Sequence, residues 1–141
     1  MTKTIDYIRE YYQKINDGSI IAGRWIHMLY DYIVHGLEEK RFYLDMKKAN
    51  RAVKFIETFC HHSKGPLAPG LVTLELWQRA MVSCIFGIVD DGGIRIFREV
   101  MCVVGRKCGK SLLASGISEY VTFADGGYGA DAVFIAPKLD Q

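Results

Sequence analysis

Long apolar runs are missing from this sequence: charged residues interrupt every hydrophobic stretch before it reaches the length of a membrane span. The opening residues, Met1-Thr2-Lys3-Thr4-Ile5-Asp6, lack the apolar core of an export signal, so we expect a soluble protein that is not exported. Cysteine is sparse, with Cys60, Cys84, Cys102 and Cys108 as the 4 in 141 residues, and no two form a CxxC pair. Each sits in an apolar or helical context that does not suggest a disulfide framework, and a reducing cytoplasm fits best. Cys60-His61-His62 has no second spaced pair to complete a tetrahedral zinc site, and reads as a helix end with exposed imidazoles. Charge of one sign is also lacking. A net charge of +2 does not by itself mark a nucleic-acid binder.

What is present is enough apolar residue, 50% of the chain, to build a core. The first half has helical periodicity. Ile5, Ile8, Tyr11, Tyr12 and Ile15 share one face, and Asp17-Gly18 ends that helix. Ser19 is placed to cap a second helix with the stripe Ile21, Trp25, Met28, Leu29, Tyr32 and Ile33. Asp45 is placed to cap a third, burying Ala49, Ala52, Val53, Ile56, Phe59 and Cys60.

Proline is scarce, yet two of the 3 fall in Gly65-Pro66-Leu67-Ala68-Pro69-Gly70, which can continue neither helix nor interior strand. The segment divides a helical region, residues 1–65, from a second region, 66–141. In the latter a helix from Leu74 to about Gly87 precedes the turn Asp90-Asp91-Gly92-Gly93. The β-branched run Ile94 to Val104 predicts a strand buried on both faces. A helix carrying Leu112, Leu113, Gly116, Ile117, Tyr120 and Val121 follows. The turn Gly126-Gly127-Tyr128-Gly129 then leads to a second apolar strand, Ala132 to Ala136, stopped by Pro137. Strand, helix, strand predicts an α/β fold with a parallel sheet.

Between the first strand and its helix lies Gly105-Arg106-Lys107-Cys108-Gly109-Lys110-Ser111. In a phosphate-binding loop, backbone N–H groups wrap the phosphates and a helix N-terminus adds positive potential. Lys110 would reach the outer phosphates and Ser111 would ligate Mg²⁺. The strict pattern is not met, since Val104 stands where the first glycine belongs and Gly105 follows it. On the residues alone two readings stand, a nucleotide site and a basic helix-capping loop. Arg106, Lys107 and Lys110 repel one another unless an anion neutralises them or water solvates them. Cys108 among these cations has the setting of a lowered thiol pKa, but no base partner is evident, and it reads as a filler of a variable position.

At this loop the sequence resembles the large terminase subunits of tailed phages, the ATPases of DNA-packaging motors, whose phosphate loop is deviant in this way. The resemblance implies that Lys110 and Ser111 bind phosphates and Mg²⁺, and that Arg106 acts on the γ-phosphate within the same subunit. Leu74-Glu75-Leu76-Trp77-Gln78 resembles the family's adenine-recognition element, with Gln78 at the base edge and Trp77 also a core anchor. Looser similarities, among them His62, Lys64-Gly65, Phe86-Gly87 and Val133 to Pro137 with Gln141, extend over most of the chain. The fold implied is a helical N-terminal segment, 1–65, and the first part of a RecA-like P-loop domain, 66–141, with its parallel sheet incomplete.

The nucleotide contacts implied are Gln78, Gly105, Arg106, Lys107, Cys108, Gly109, Lys110 and Ser111, with ATP and Mg²⁺ as cofactors. Arg106 and Lys110 are the implied catalytic residues. The implied partners are double-stranded DNA, the portal and the small terminase subunit, in the bacterial host cytoplasm. The family's Asp-Glu strand and nuclease region find no counterpart after Ser111, so this chain is expected to bind ATP better than it turns it over. A strand left without its neighbours is also expected to promote self-association. Two further readings remain from the residues: another P-loop ATPase or kinase, and a non-catalytic module whose helices dock a partner.

Overall fold

Asp6 and Asp45 stand at two helix starts, where a short carboxylate can accept hydrogen bonds from N–H groups that have no intrahelical partner. The computed structural model describes residues 4–63, 65–126 and 133. In it Asp6 accepts from the Arg9 N–H at 3.0 Å and opens α1, Tyr7–Asn16. Asp45 accepts from the N–H groups of Lys47 and Lys48, each at 3.0 Å, and opens α3, Met46–Phe59. Between them runs α2, Arg24–Glu38. After the Gly-Pro segment come α4, Leu76–Gly87, and, beyond the basic loop, α5, Lys110–Phe123. Two short strands, β1 (Tyr43–Leu44) and β2 (Ile88–Val89), pair antiparallel with Tyr43 opposite Val89.

The centre of the structure is α4, whose Gln78, Ala80, Val82, Ser83, Cys84, Phe86 and Gly87 are all buried. A helix buried on all sides needs partners on each. Ala80 and Cys84 join Ile8, Tyr11, Tyr30 and Ile33 from α1 and α2 in one apolar cluster. Val82 and Phe86 join Val53, Ile56, Leu113 and Tyr120 from α3 and α5 in a second. Edge-to-face aromatic pairs sit in both, Tyr11–Tyr30 with ring centroids 4.9 Å apart and Phe86–Tyr120 at 4.8 Å. Two glycines let helices approach: a Cβ on Gly87 would lie 2.6 Å from Ala49 Cβ, and one on Gly116 would lie 3.1 Å from Ile56 Cγ2. Glu57 ties α3 to α4, its Oε1 accepting from Arg79 Nη2 at 2.8 Å and from the Leu74 N–H at 2.9 Å.

Three sequence expectations need correction. Ser19 caps nothing; its N–H donates to Asp17 Oδ1, and α2 begins at Arg24 with Gly23 as its cap. The buried face of α2 is Tyr30, Ile33 and Val34, whereas Trp25, Met28, Leu29 and Tyr32 are exposed. This helix is apolar on two sides, and the side that meets Tyr11 and Ile8 is the buried one. Phe59, expected inside, is 64% exposed at the end of α3.

The largest correction concerns the sheet. The parallel α/β sheet is not present among the described residues, which hold five helices and one two-stranded antiparallel sheet. The expected strand Ile94 to Val104 makes a single bridge, Val89 with Arg95, and has no ladder from Phe97 onward. Val100, Met101 and Val103 are 50%, 90% and 85% exposed. A helix satisfies its own backbone, but a strand exists only through neighbours that accept and donate along both edges. No described residue makes a backbone hydrogen bond with 97–104. Of the second expected strand, Ala132 to Ala136, only Val133 is described; the rest lies outside the described residues, as do Lys64 and Gly127 to Gly129. No helix among the described residues is long and apolar enough to cross a membrane.

Candidate nucleotide site

Gly109 closes the basic loop in a left-handed conformation (φ 70°) and serves as the N-cap of α5, with no side chain capping the helix. The first i to i−4 bond of α5 is the Leu113 N–H to the Gly109 carbonyl, at 2.9 Å. The N–H groups ahead of it therefore have no partner within the helix, and they carry the positive end of its dipole. Lys107 is also left-handed (φ 64°), an uncommon conformation for a residue with a side chain. Two such residues, two positions apart, turn the loop into the helix start.

That fold brings the loop against α4. Gly109 is required by its backbone angle, and a Cβ there would sit 3.4 Å from Gln78 Nε2, an ordinary contact distance that places the loop beside Gln78. Gln78 is buried, and its Oε1 accepts from the Glu75 N–H at 2.9 Å, which caps α4 and fixes the amide. With the carbonyl oxygen so engaged, Nε2 is the half of the amide turned toward the loop.

Two clefts meet at this point. One, of about 960 Å³, is lined by Trp77, Gln78, Gly105, Lys107, Cys108 and Gly109, together with Tyr11, Ile21 and Ile26. The other, of about 590 Å³, lies between the end of α3 and the start of α5 and is lined by Cys60, His62, Lys107, Lys110, Ser111 and Glu119. Lys107 and Gly109 belong to both. The expected site residues other than Arg106 thus line one or both of these two clefts. Arg106 lines neither cleft and is exposed on the outside of the loop. Among the described residues no carboxylate pairs with Arg106, Lys107 or Lys110, and their charge is left for water or an anion.

The four cysteines divide by burial. Burial first, then the bond from Cys60 Sγ to Glu119 Oε2 at 3.3 Å, pushes the Cys60 thiol up to about 11. Burial likewise pushes Cys84 up to about 12, against a smaller opposing effect of its hydrogen bond with Tyr30. Cys108 and Cys102 are both exposed. Cys102 was expected inside a strand.

The sequence reading missed the walls supplied by the N-terminal helices and by His62. No local signal marks Tyr11, Ile21 or Ile26 as cleft residues. For His62 a signal existed: the Gly-Pro turn returns the chain so that Cys60 and His62 pair with Val72 and Gly70.

A family model, the terminase large subunit ATPase domain, matches residues 76–141. Residues 76–141 are thus similar to the ATPase domain of terminase large subunits. The matched segment starts at the first residue of α4 and holds Gln78 and the whole basic loop. No curated protein and no solved structure matches the chain. That family is one of ATPases, which implies nucleotide binding, and its setting is phage DNA packaging.

Proposed function

We propose that this chain is the ATP-binding portion of a large terminase that powers DNA translocation into the procapsid. The observation that supports this best is the meeting of Gln78 with Gly109, which joins a base-reading amide to a phosphate loop at one cleft. The residues present fit a magnesium–nucleotide group. The helix start is uncapped, three cations lack described ionic partners, and the loop backbone is held by a left-handed glycine.

In this reading Gln78 donates from Nε2 to the edge of adenine, and Trp77 bounds the base side of the cleft. The backbone N–H groups at Gly109 to Ser111 hold phosphate oxygens, and Lys110 neutralises the outer ones. Ser111 offers the hydroxyl that would ligate Mg²⁺, whose chemistry is to offset charge on the phosphates. Gly105, Lys107 and Cys108 shape the loop, and Arg106 swings in from its outer face toward the terminal phosphate. The functional division falls between residues 65 and 66, with 1–65 supplying walls to the site that 66–141 carries. DNA, the portal and the small terminase subunit are the partners of the assembled motor in the bacterial host cytoplasm.

Fluorescent ATP binding to the purified chain tests this. Lys110→Ala should weaken binding at least tenfold while leaving the helical circular dichroism intact. Equal affinity in a folded Lys110→Ala protein would overturn the reading. The exposed face of α2, with Trp25 75% and Tyr32 51% accessible, favours a second and compatible role in docking a partner of the motor.

A further inference from the structure

His62 lies three residues past the end of α3, far in sequence from the phosphate loop, yet it lines both clefts that meet at Lys107 and Gly109. Its backbone is fixed from both sides. The His62 N–H donates to the Gly70 carbonyl at 2.9 Å, and the Val72 N–H donates to the Cys60 carbonyl at 2.9 Å. His61 and Leu71 form a bridge within the same short pairing. The ring of His61 is engaged with the Phe59 carbonyl at 3.2 Å. The ring of His62 has no hydrogen-bond partner among the described residues, and it is half-buried. His62 shares the lining of both clefts with Lys107, that of the smaller with Lys110 and Glu119, and that of the larger with Glu75. An imidazole held on a fixed backbone beside two cations and an uncapped helix start can complete the shell of a bound polyanion.

We infer that His62 is a phosphate-binding residue of the nucleotide site, donating a ring N–H to an oxygen of the chain of phosphates held by Lys107 to Ser111. This rests on the phosphate-loop reading above. It makes the connection between α3 and α4 part of the site, so that a bound nucleotide braces α3 against α5.

Binding of ATP and of inorganic tripolyphosphate, both with Mg²⁺, should be compared in the 141-residue protein and in His62→Ala, His62→Gln, Lys110→Ala and the distant control His35→Ala. A hydrogen bond to a charged group predicts about a tenfold loss for His62→Ala with both ligands. His62→Gln, which keeps a donor, should recover most of it, and His35→Ala should change nothing. A loss with ATP alone would put His62 on the base side and overturn the inference, as would unchanged binding of both ligands. Absence of ATP binding by the unaltered protein, or indifference to Lys110→Ala, would overturn the phosphate-loop reading and this inference with it. Ring-proton resonances give a second measure that no folding defect can spoil. In the unaltered protein, tripolyphosphate should shift those of His62 and leave those of His35 in place; an unmoved His62 would overturn the inference.

Discussion

Residues 76–89 and residues 94–104 are similarly apolar, but among the described residues the first are largely buried and the second largely exposed. Phe86 and Ile88 are 2% and 0% accessible; Met101 and Val103 are 90% and 85% accessible. The difference lies in what each backbone needs. Helix α4 closes its own hydrogen bonds and asks only for apolar neighbours, which α1, α3 and α5 supply. The segment 97–104 needs a ladder before its side chains can be buried, and no described residue provides one. Apolarity measures what a segment gains from burial, and the hydrogen-bonding plan decides whether neighbours can deliver it.

The largest expected effect sharpens this contrast. Phe86→Ala removes a ring stacked edge-on against Tyr120 and should cost about 3–5 kcal/mol in unfolding free energy. Met101→Ala, in a segment of like composition, should change stability by no more than about 0.5 kcal/mol. Urea titrations of the two variants measure both values. A Met101→Ala cost comparable with that of Phe86→Ala would show that 97–104 is buried in solution.

Thiol chemistry tests the same contrast with less perturbation. Cys84 on α4 and Cys60 at the end of α3 are buried, with thiols raised to about 12 and about 11; Cys102 and Cys108 are exposed. Only thiolate reacts, so alkylation at neutral pH should be on the order of a hundredfold faster at Cys102 and Cys108. Saturating ATP should then slow Cys108, which lines the larger cleft, and leave Cys102 unaffected. Mass spectrometry of the labelled peptides resolves all four sites. Equal protection of Cys102 and Cys108 by ATP would mean that nucleotide orders the whole apolar segment, which breaks the contrast as stated.

Much of the helical region was legible because its signals are local. Asp45 with its stripe of Ala49, Ala52, Val53 and Ile56 specifies the start and the buried face of α3 within fifteen residues. The place of the basic loop at the start of α5 was legible for the same reason, since the glycine that ends it and the helix that follows are adjacent in sequence. What could not be read was relational. The exposed face of α2 is nearly as apolar as its buried one, and only the position of Tyr11 decides between them. The burial of 97–104 depends on strands that no local pattern can promise. The cleft walls from Tyr11, Ile21, Ile26 and His62 come from tertiary approach, to which periodicity is blind.

The smallest expected effect is an association between copies. Ile94, Ile96, Val100, Met101 and Val103 expose apolar side chains on a segment whose backbone groups lack a ladder among the described residues. A second copy could supply both needs at once, edge hydrogen bonds and apolar cover. Helix α2 adds Leu29 to the same side, since it lines a cleft with Phe97, Val100 and Met101. Because the pairing competes with solvation by water, we expect weak dimers, populated at tens of micromolar, in the range of small interfaces. A lysine at an exposed strand position opposes such pairing without touching the folded core. Val103→Lys should therefore shift sedimentation toward monomer, whereas Phe59→Lys, an exposed apolar site at the end of α3, should leave the distribution unchanged. If Phe59→Lys disperses the dimer and Val103→Lys does not, the copies meet through the helices, and the unladdered segment is not what draws them together.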